Sequence, residues 1–81
     1  MSMTLLELKR GNIATVSKLN GGKSVIARMS DLGFREGKTI QLLRKAPFHG
    51  PLLVEDVNCG AKIMISRKIA LSIEVHCEET K

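Results

Sequence analysis

Val25-Ile26-Ala27-Arg28-Met29-Ser30-Asp31-Leu32-Gly33-Phe34-Arg35-Glu36-Gly37 is the stretch that decides how this chain folds. Val25, Ile26, Met29 and Leu32 recur at three- and four-residue spacing, with Lys23, Arg28 and Asp31 around the rest. That pattern predicts an amphipathic helix whose apolar stripe packs down while its charges face out. Gly33 can take the left-handed conformation that ends a helix. Phe34, two places past the cap, can then fold back on Met29 as a Schellman motif requires.

Outward from this helix the chain reads as short strands separated by glycines at 11, 21–22, 33, 37, 50 and 60. Asn12 to Leu19 is rich in β-branched residues and predicts a strand with apolar groups on both faces. Lys38 to Lys45 predicts a second strand, in which Ile40 and Leu42 alternate with Thr39 and Gln41 until Leu43 breaks the pattern and marks a bulge or a two-sided strand. Ala46-Pro47-Phe48-His49-Gly50-Pro51 is neither helix nor central strand, because proline lacks the amide proton and restricts its predecessor, so it predicts an exposed loop. Leu52 to Val57 and Ala61 to Ser66 flank Asn58-Cys59-Gly60 and read as a hairpin. Ser72 to Cys77 supplies the last strand.

Two single helical turns complete the reading. Thr4 caps Leu5 to Lys9, whose Leu5, Leu6 and Leu8 cover one end of the core before Gly11 stops the turn; Ser66 caps Arg67 to Leu71. Five short, mostly antiparallel strands cannot bury both faces of a flat sheet in 81 residues. Closure into a small β-barrel, with the helix between its first and second strands as a plug or lid, removes the exposed edges. The whole chain, 1–81, is one domain with its core at about 4–77.

Several function classes fall away on composition. A domain of this length buries one small core and has little room for a deep catalytic cavity. The longest uncharged stretch, Ala46 to Val54, holds two prolines and falls far short of a spanning helix. With no basic flank ahead of an apolar run at the N-terminus, a cytoplasmic location is expected. Cys59 and Cys77 belong to no C-x-x-C pair, and a reduced pair of thiols is expected. Of the two histidines, His49 lies in the Pro/Gly loop and His76 near the end of the chain, so neither is placed to serve a nucleophile, and no catalytic residue is assigned. Gly21-Gly22-Lys23-Ser24 resembles the tail of a phosphate-binding loop, but the loop's first glycine is replaced by Ser17. No cofactor is expected.

Charge is more informative. Thirteen Lys and Arg against eight Asp and Glu give +5, and residues 9–45 carry nine basic and two acidic side chains. Such a surface suits an acidic protein, nucleic acid or an anionic membrane face. A nucleic-acid-binding barrel stacks bases on aromatic rings, and here the aromatics are Phe34 and Phe48 alone. With Phe34 used at the helix stop, only weak, salt-sensitive binding without specificity is expected. A transition-metal site at His49, or at the His76, Cys77, Glu78 and Glu79 run, is a further alternative. Neighbours on an extended strand point to opposite faces, so that run reaches one ion only if the chain turns there, and no metal ligand is assigned.

Gly11 with Val16, the run Arg28-Met29-Ser30-Asp31-Leu32-Gly33-Phe34, then Glu36-Gly37, Ala46-Pro47, Pro51, Gly60, Ile63 to Ser66, Ala70, and Ile73 with Val75 form an ordered series. That series, from about Leu6 to Val75, resembles the FeoA family of small cytoplasmic proteins of ferrous iron transport. The resemblance implies an SH3-like barrel in which Gly11, Leu32, Gly33, Gly37, Pro51, Gly60 and Ala70 are structural positions. It also implies an accessory role toward FeoB, the membrane iron transporter with a cytoplasmic GTPase domain, so that contact with the membrane comes only through that partner. Kinship with the SH3-like C-terminal domain of iron-dependent repressors is implied as well, and the fold alone therefore does not fix the role.

The chain departs from the family in placing Phe48-His49 between Pro47 and Gly50, where shorter polar residues are usual. An aromatic at the tip of such a loop has little core to bury in and suits an interface anchor. Arg35, Lys38, Arg44 and Lys45 follow the helix and precede this loop. Together with Pro47 and Phe48 they form the expected partner-binding surface, complementary to an acidic partner. An open barrel edge would also permit a homodimer.

Overall fold

The computed structural model describes residues 3–77. Six strands make one antiparallel sheet in the order β1-β6-β2-β3-β4-β5: β1 Met3–Thr4, β2 Ile13–Leu19, β3 Thr39–Lys45, β4 Leu52–Asp56, β5 Lys62–Ile65 and β6 Ile73–Cys77. Two helices interrupt them, α1 Lys23–Asp31 and α2 Arg67–Leu71, and a 3-10 turn spans Leu5–Glu7. The sheet curls around a single core in which Leu5, Leu8, Ala14, Val16, Ile40, Leu42, Leu52, Val54, Ile65, Ile73 and Val75 are buried. The expected SH3-like, mainly β architecture with its helix between the first two long strands is present.

Alternation explains most of the core. Along β4, Leu52, Val54 and Asp56 point inward and Leu53 and Glu55 lie on the other face. In β2, Ala14 and Val16 take the inward positions, and the register slips between Val16 and Lys18. The break at Leu43 is a shift in the β3–β4 register between Leu42 and Arg44, which turns the end of β3 outward.

The ends of the sheet differ from expectation in two places. Met3–Thr4 forms a sixth strand against Val75 and Glu74 rather than simply preceding a helical turn, because β6 offers it an open edge. The turn after it is shorter than expected, Leu5–Glu7, and Leu8 ends it in extended conformation. Gly11, at φ 90°, serves the chain reversal into β2 instead, with its N–H donating to the Leu42 carbonyl at 2.7 Å. The Glu7 carboxylate reaches back to the N–H and hydroxyl of Thr4. Among the described residues no ladder joins β1 to β5. The gap between these edge strands is bridged instead by the 3-10 turn after β1 and the helix after β5, since α2 packs on that turn with Leu5 and Ala70 buried. Ser66 caps α2, its Oγ accepting from the Ile69 N–H at 3.2 Å.

The Schellman stop is built as the sequence demands. Gly33 has φ 95°, its N–H donates to the Ser30 carbonyl at 3.0 Å, and the Phe34 N–H donates to the Met29 carbonyl at 2.9 Å. Met29 and Phe34 are both fully buried. The rest of α1 rides higher than its pattern suggests: Val25 and Leu32 are half-buried, and Ile26 is 38% exposed. Taking about 100° per residue, Val25 and Leu32 flank Met29 on one side and Ile26 lies on the other, so a helix touching the barrel along the Met29 side leaves Ile26 in water.

Candidate docking site

The β3–β4 connection decides the site. The Ala46 N–H donates to the Pro51 carbonyl at 2.9 Å, and the Gly50 N–H donates to the Pro47 carbonyl at 3.1 Å, so the strand pairing continues up to a two-residue tip. That tip is Phe48 at φ 58° and His49 at φ 62°. Positive φ at both central residues is the signature of the type I′ turn, which suits the twist of a hairpin and normally takes Asn-Gly. An aromatic and an imidazole held there are strained, at a cost on the order of 1–2 kcal/mol each. Phe48 is 97% exposed, so no burial of its ring in this chain offsets the strain.

Beside the tip lies a groove of about 210 Å³ lined by Arg44, Ala46, Pro47, Pro51, Leu53 and Met64. Register creates it. Arg44 stands opposite Leu53 and Leu53 opposite Met64, so one outward row crosses three strands and the two prolines wall its end. Five of the six lining residues are apolar, and Met64 is 62% exposed. Met64 was not among the expected site residues, although strand alternation over Lys62–Ile65 places it outward with Lys62.

The remaining expected residues divide. Arg44, Lys45, Pro47 and Phe48 are exposed and converge on the hairpin. Lys45 also donates from Nζ to the Leu6 carbonyl at 2.7 Å, tying the hairpin to the 3-10 turn. Arg35 is exposed in the loop after α1. Lys38 is half-buried, its Nζ 2.8 Å from Asp56 Oδ2. Asp56 is buried at the end of β4, and its carboxyl is held below its ordinary pKa chiefly by the hydrogen bond from Lys38. Burial opposes that shift, and the Asn58 N–H and the Cys59 thiol add to it. No sequence pattern singles out this carboxylate.

Gly11, Gly33, Gly37 and Gly60 all have positive φ, Pro51 walls the groove, Leu32 is half-buried and Ala70 is buried. His49 at the hairpin tip, Cys59 in the β4–β5 turn, and His76 and Cys77 on β6 lie on separate elements; Glu78 and Glu79 fall outside the described residues. No disulfide joins Cys59 to Cys77. Phe34 is in the core, which leaves Phe48 as the one exposed aromatic ring, short of the stacking platform a single-stranded nucleic acid uses. Among the described residues no helix is long and apolar enough to cross a membrane.

The same fold and sequence pattern occur in known proteins. The FeoA domain family model matches residues 3–77. A FeoA protein from Chlorobium tepidum, solved by NMR, is 34% identical, with 91% of this chain and 69% of that one covered and a TM-score of 0.74. A crystal structure of an iron uptake regulatory protein, FeoA, is 24% identical over 96% of this chain and 99% of its own, with a TM-score of 0.85. A manganese-dependent transcriptional repressor in complex with manganese shares the fold at a TM-score of 0.88 and 18% identity, over 95% of this chain and 37% of the repressor. No curated protein matches the chain.

Proposed function

This chain belongs to the FeoA family, and from that premise we propose that it is a noncatalytic cytoplasmic module of ferrous iron uptake that docks on the cytoplasmic part of a FeoB-type transporter and modulates it. The exposed Phe48 ring, held in a left-handed turn beside an apolar groove, carries this reading. Backbone strain spent on holding out an exposed aromatic ring is what a binding surface retains and a purely structural loop has no reason to keep. Arg44 and Lys45 beside it suit an acidic partner and would speed encounter with one. Iron is the cargo of the transporter in this scheme rather than a resident of the module.

Titration of the full chain with the soluble cytoplasmic domain of the transporter, at low salt, tests the reading. Binding is expected, and Phe48→Ala combined with Arg44→Glu should weaken it by about tenfold or more, the loss typical of a central anchor. No binding by the wild type would overturn the proposal, and binding indifferent to the double substitution would move the surface elsewhere.

A further inference from the structure

The groove runs across β3, β4 and β5 and carries a cation at one end. Its floor is the outward row Arg44–Leu53–Met64, in which Leu53 is half-buried and Arg44 and Met64 are exposed. Strands stand roughly 4.8 Å apart, so the row is roughly 10 Å long. Among the described residues the Arg44 guanidinium has no hydrogen-bond or ion-pair partner. The next outward row is Gln41–Glu55–Lys62, where Glu55 already has Lys62 opposite it. An apolar trough with an unpaired cation at one end complements an apolar group with a carboxylate beside it.

Three other occupants fit less well. The outer edge of β5 lies beyond Met64 and faces the gap that the 3-10 turn and α2 bridge, so a strand added there would not lie in the groove. A second copy related by a two-fold axis would set Arg44 and Lys45 against their own counterparts, since residues 43–54 hold no Asp or Glu. A helix needs a long stripe of anchors at i, i+3, i+4 and i+7, whereas a groove of about 210 Å³ takes one or two side chains.

We propose that the Arg44–Leu53–Met64 groove takes an extended segment of the partner laid across the three strands, carrying an apolar side chain and a carboxylate two residues apart. The apolar group sits over Leu53 and Met64 against Pro51, and the carboxylate reaches Arg44. Spacing selects this pattern. The midpoint of Leu53 and Met64 lies roughly 7 Å from Arg44, and side chains at i and i+2 of an extended chain share a face and stand roughly 6.6 Å apart. An acid adjacent to the apolar residue would point to the opposite face, away from Arg44. The segment's backbone joins no ladder, because β4 beneath it is already paired on both sides. This rests on the docking role above and names the chemistry of the partner segment at the same site, leaving the Phe48 ring to enter the partner itself.

Display of random dodecapeptides against the immobilised full chain tests it without the transporter. Enriched sequences should share Leu, Ile, Met or Phe two residues from Asp or Glu, in either order, and their amide-shift footprint on the labelled protein should centre on Arg44, Leu53 and Met64. Moving the acid next to the apolar residue should weaken the best peptide by about fivefold. Arg44→Glu should weaken it by about tenfold, and replacing the peptide's acid with lysine should recover binding to that variant, which also shows the variant to be folded. N-methylation of alternate peptide amides should act equally in both registers. No enriched peptide, winners without the spaced pair, indifference to the moved acid, no recovery by the reversed charge, sensitivity to one methylation register alone, or self-association of the chain through the groove would each overturn the proposal. The transporter reading fails separately: peptide binding without transporter binding removes that reading alone, and transporter binding that the peptide does not displace removes this inference alone.

Discussion

Lys38 Nζ lies 2.8 Å from Asp56 Oδ2, joining the loop after α1 to the end of β4 beneath the β4–β5 turn. The same carboxylate accepts the Asn58 N–H at 3.0 Å, while the Asp56 backbone closes that turn through the Gly60 N–H and the Ala61 carbonyl. One buried acid thus holds two connections that are far apart in sequence.

Acid should loosen the molecule through this contact. Asp56 has a lowered pKa in the folded chain, so its ionised form favours folding at every pH above the ordinary aspartate value of about 3.9. The contribution declines as pH falls below that value and is gone once pH has passed through the folded pKa. Urea midpoints measured from pH 6 down to about 2.5 should therefore fall less steeply for Asp56→Asn than for the wild type, with the variant less stable near neutrality. Parallel curves would remove the role assigned to the pair.

Gly33 stands at φ 95°, and a Cβ built there meets nothing within 4 Å, so backbone strain alone sets the cost of replacing it. Gly33→Val should destabilise the chain by about 1–2 kcal/mol, a drop in Tm of roughly 4–16 °C for a domain of this size. Gly33→Asn, which tolerates the left-handed region, should recover part of the loss. Thermal melts followed by circular dichroism decide it, and a silent Gly33→Val would show that the helix end relaxes freely.

At the hairpin tip, stability and binding should move in opposite directions. Phe48→Asn with His49→Gly installs the residues a type I′ turn prefers and should stabilise the fold by about 1–2 kcal/mol. The same pair removes the exposed ring and should weaken binding to the transporter domain. A variant that gains stability and keeps full affinity would show that the strain serves nothing at this surface.

Much of the fold was legible because its signals are local. The Gly33 stop, the Ser66 cap, the Leu43 break and the Asn58-Cys59-Gly60 hairpin each depend on residues within one or two turns of chain, and each is found where its residue types demand. The pairing of Met3–Thr4 with β6 was not legible, because two residues carry no periodicity and their partner lies at the other end of the sequence. Ile26 is exposed because only docking shows which side of the helical stripe meets the barrel. At the site, Phe48 announced itself by an aromatic ring in a Pro/Gly loop. Lys38 read as one more free cation, since its pairing with Asp56 exists only after β3 and β4 are in register. The groove needed the same step: Arg44, Leu53 and Met64 are neighbours by strand alignment and not by sequence.

The excursion that carries α1 is staked at its base and nearly free above it. The Asn20 N–H donates to the Ser72 carbonyl and its side-chain amide to Glu74, while Val16 exchanges backbone hydrogen bonds with Gly37 and Lys38. Between these stakes Met29 and Phe34 are the fully buried side chains, with Val25 and Leu32 packed half-buried against the core. Residues 21–36 are therefore expected to open at a lower free energy than the sheet, at the cost of withdrawing Met29 and Phe34 from the core. In deuterated solvent their amides should label as a group before those of β2 and β6, so that a partner contacting α1 would register as slowed exchange in a segment that otherwise breathes.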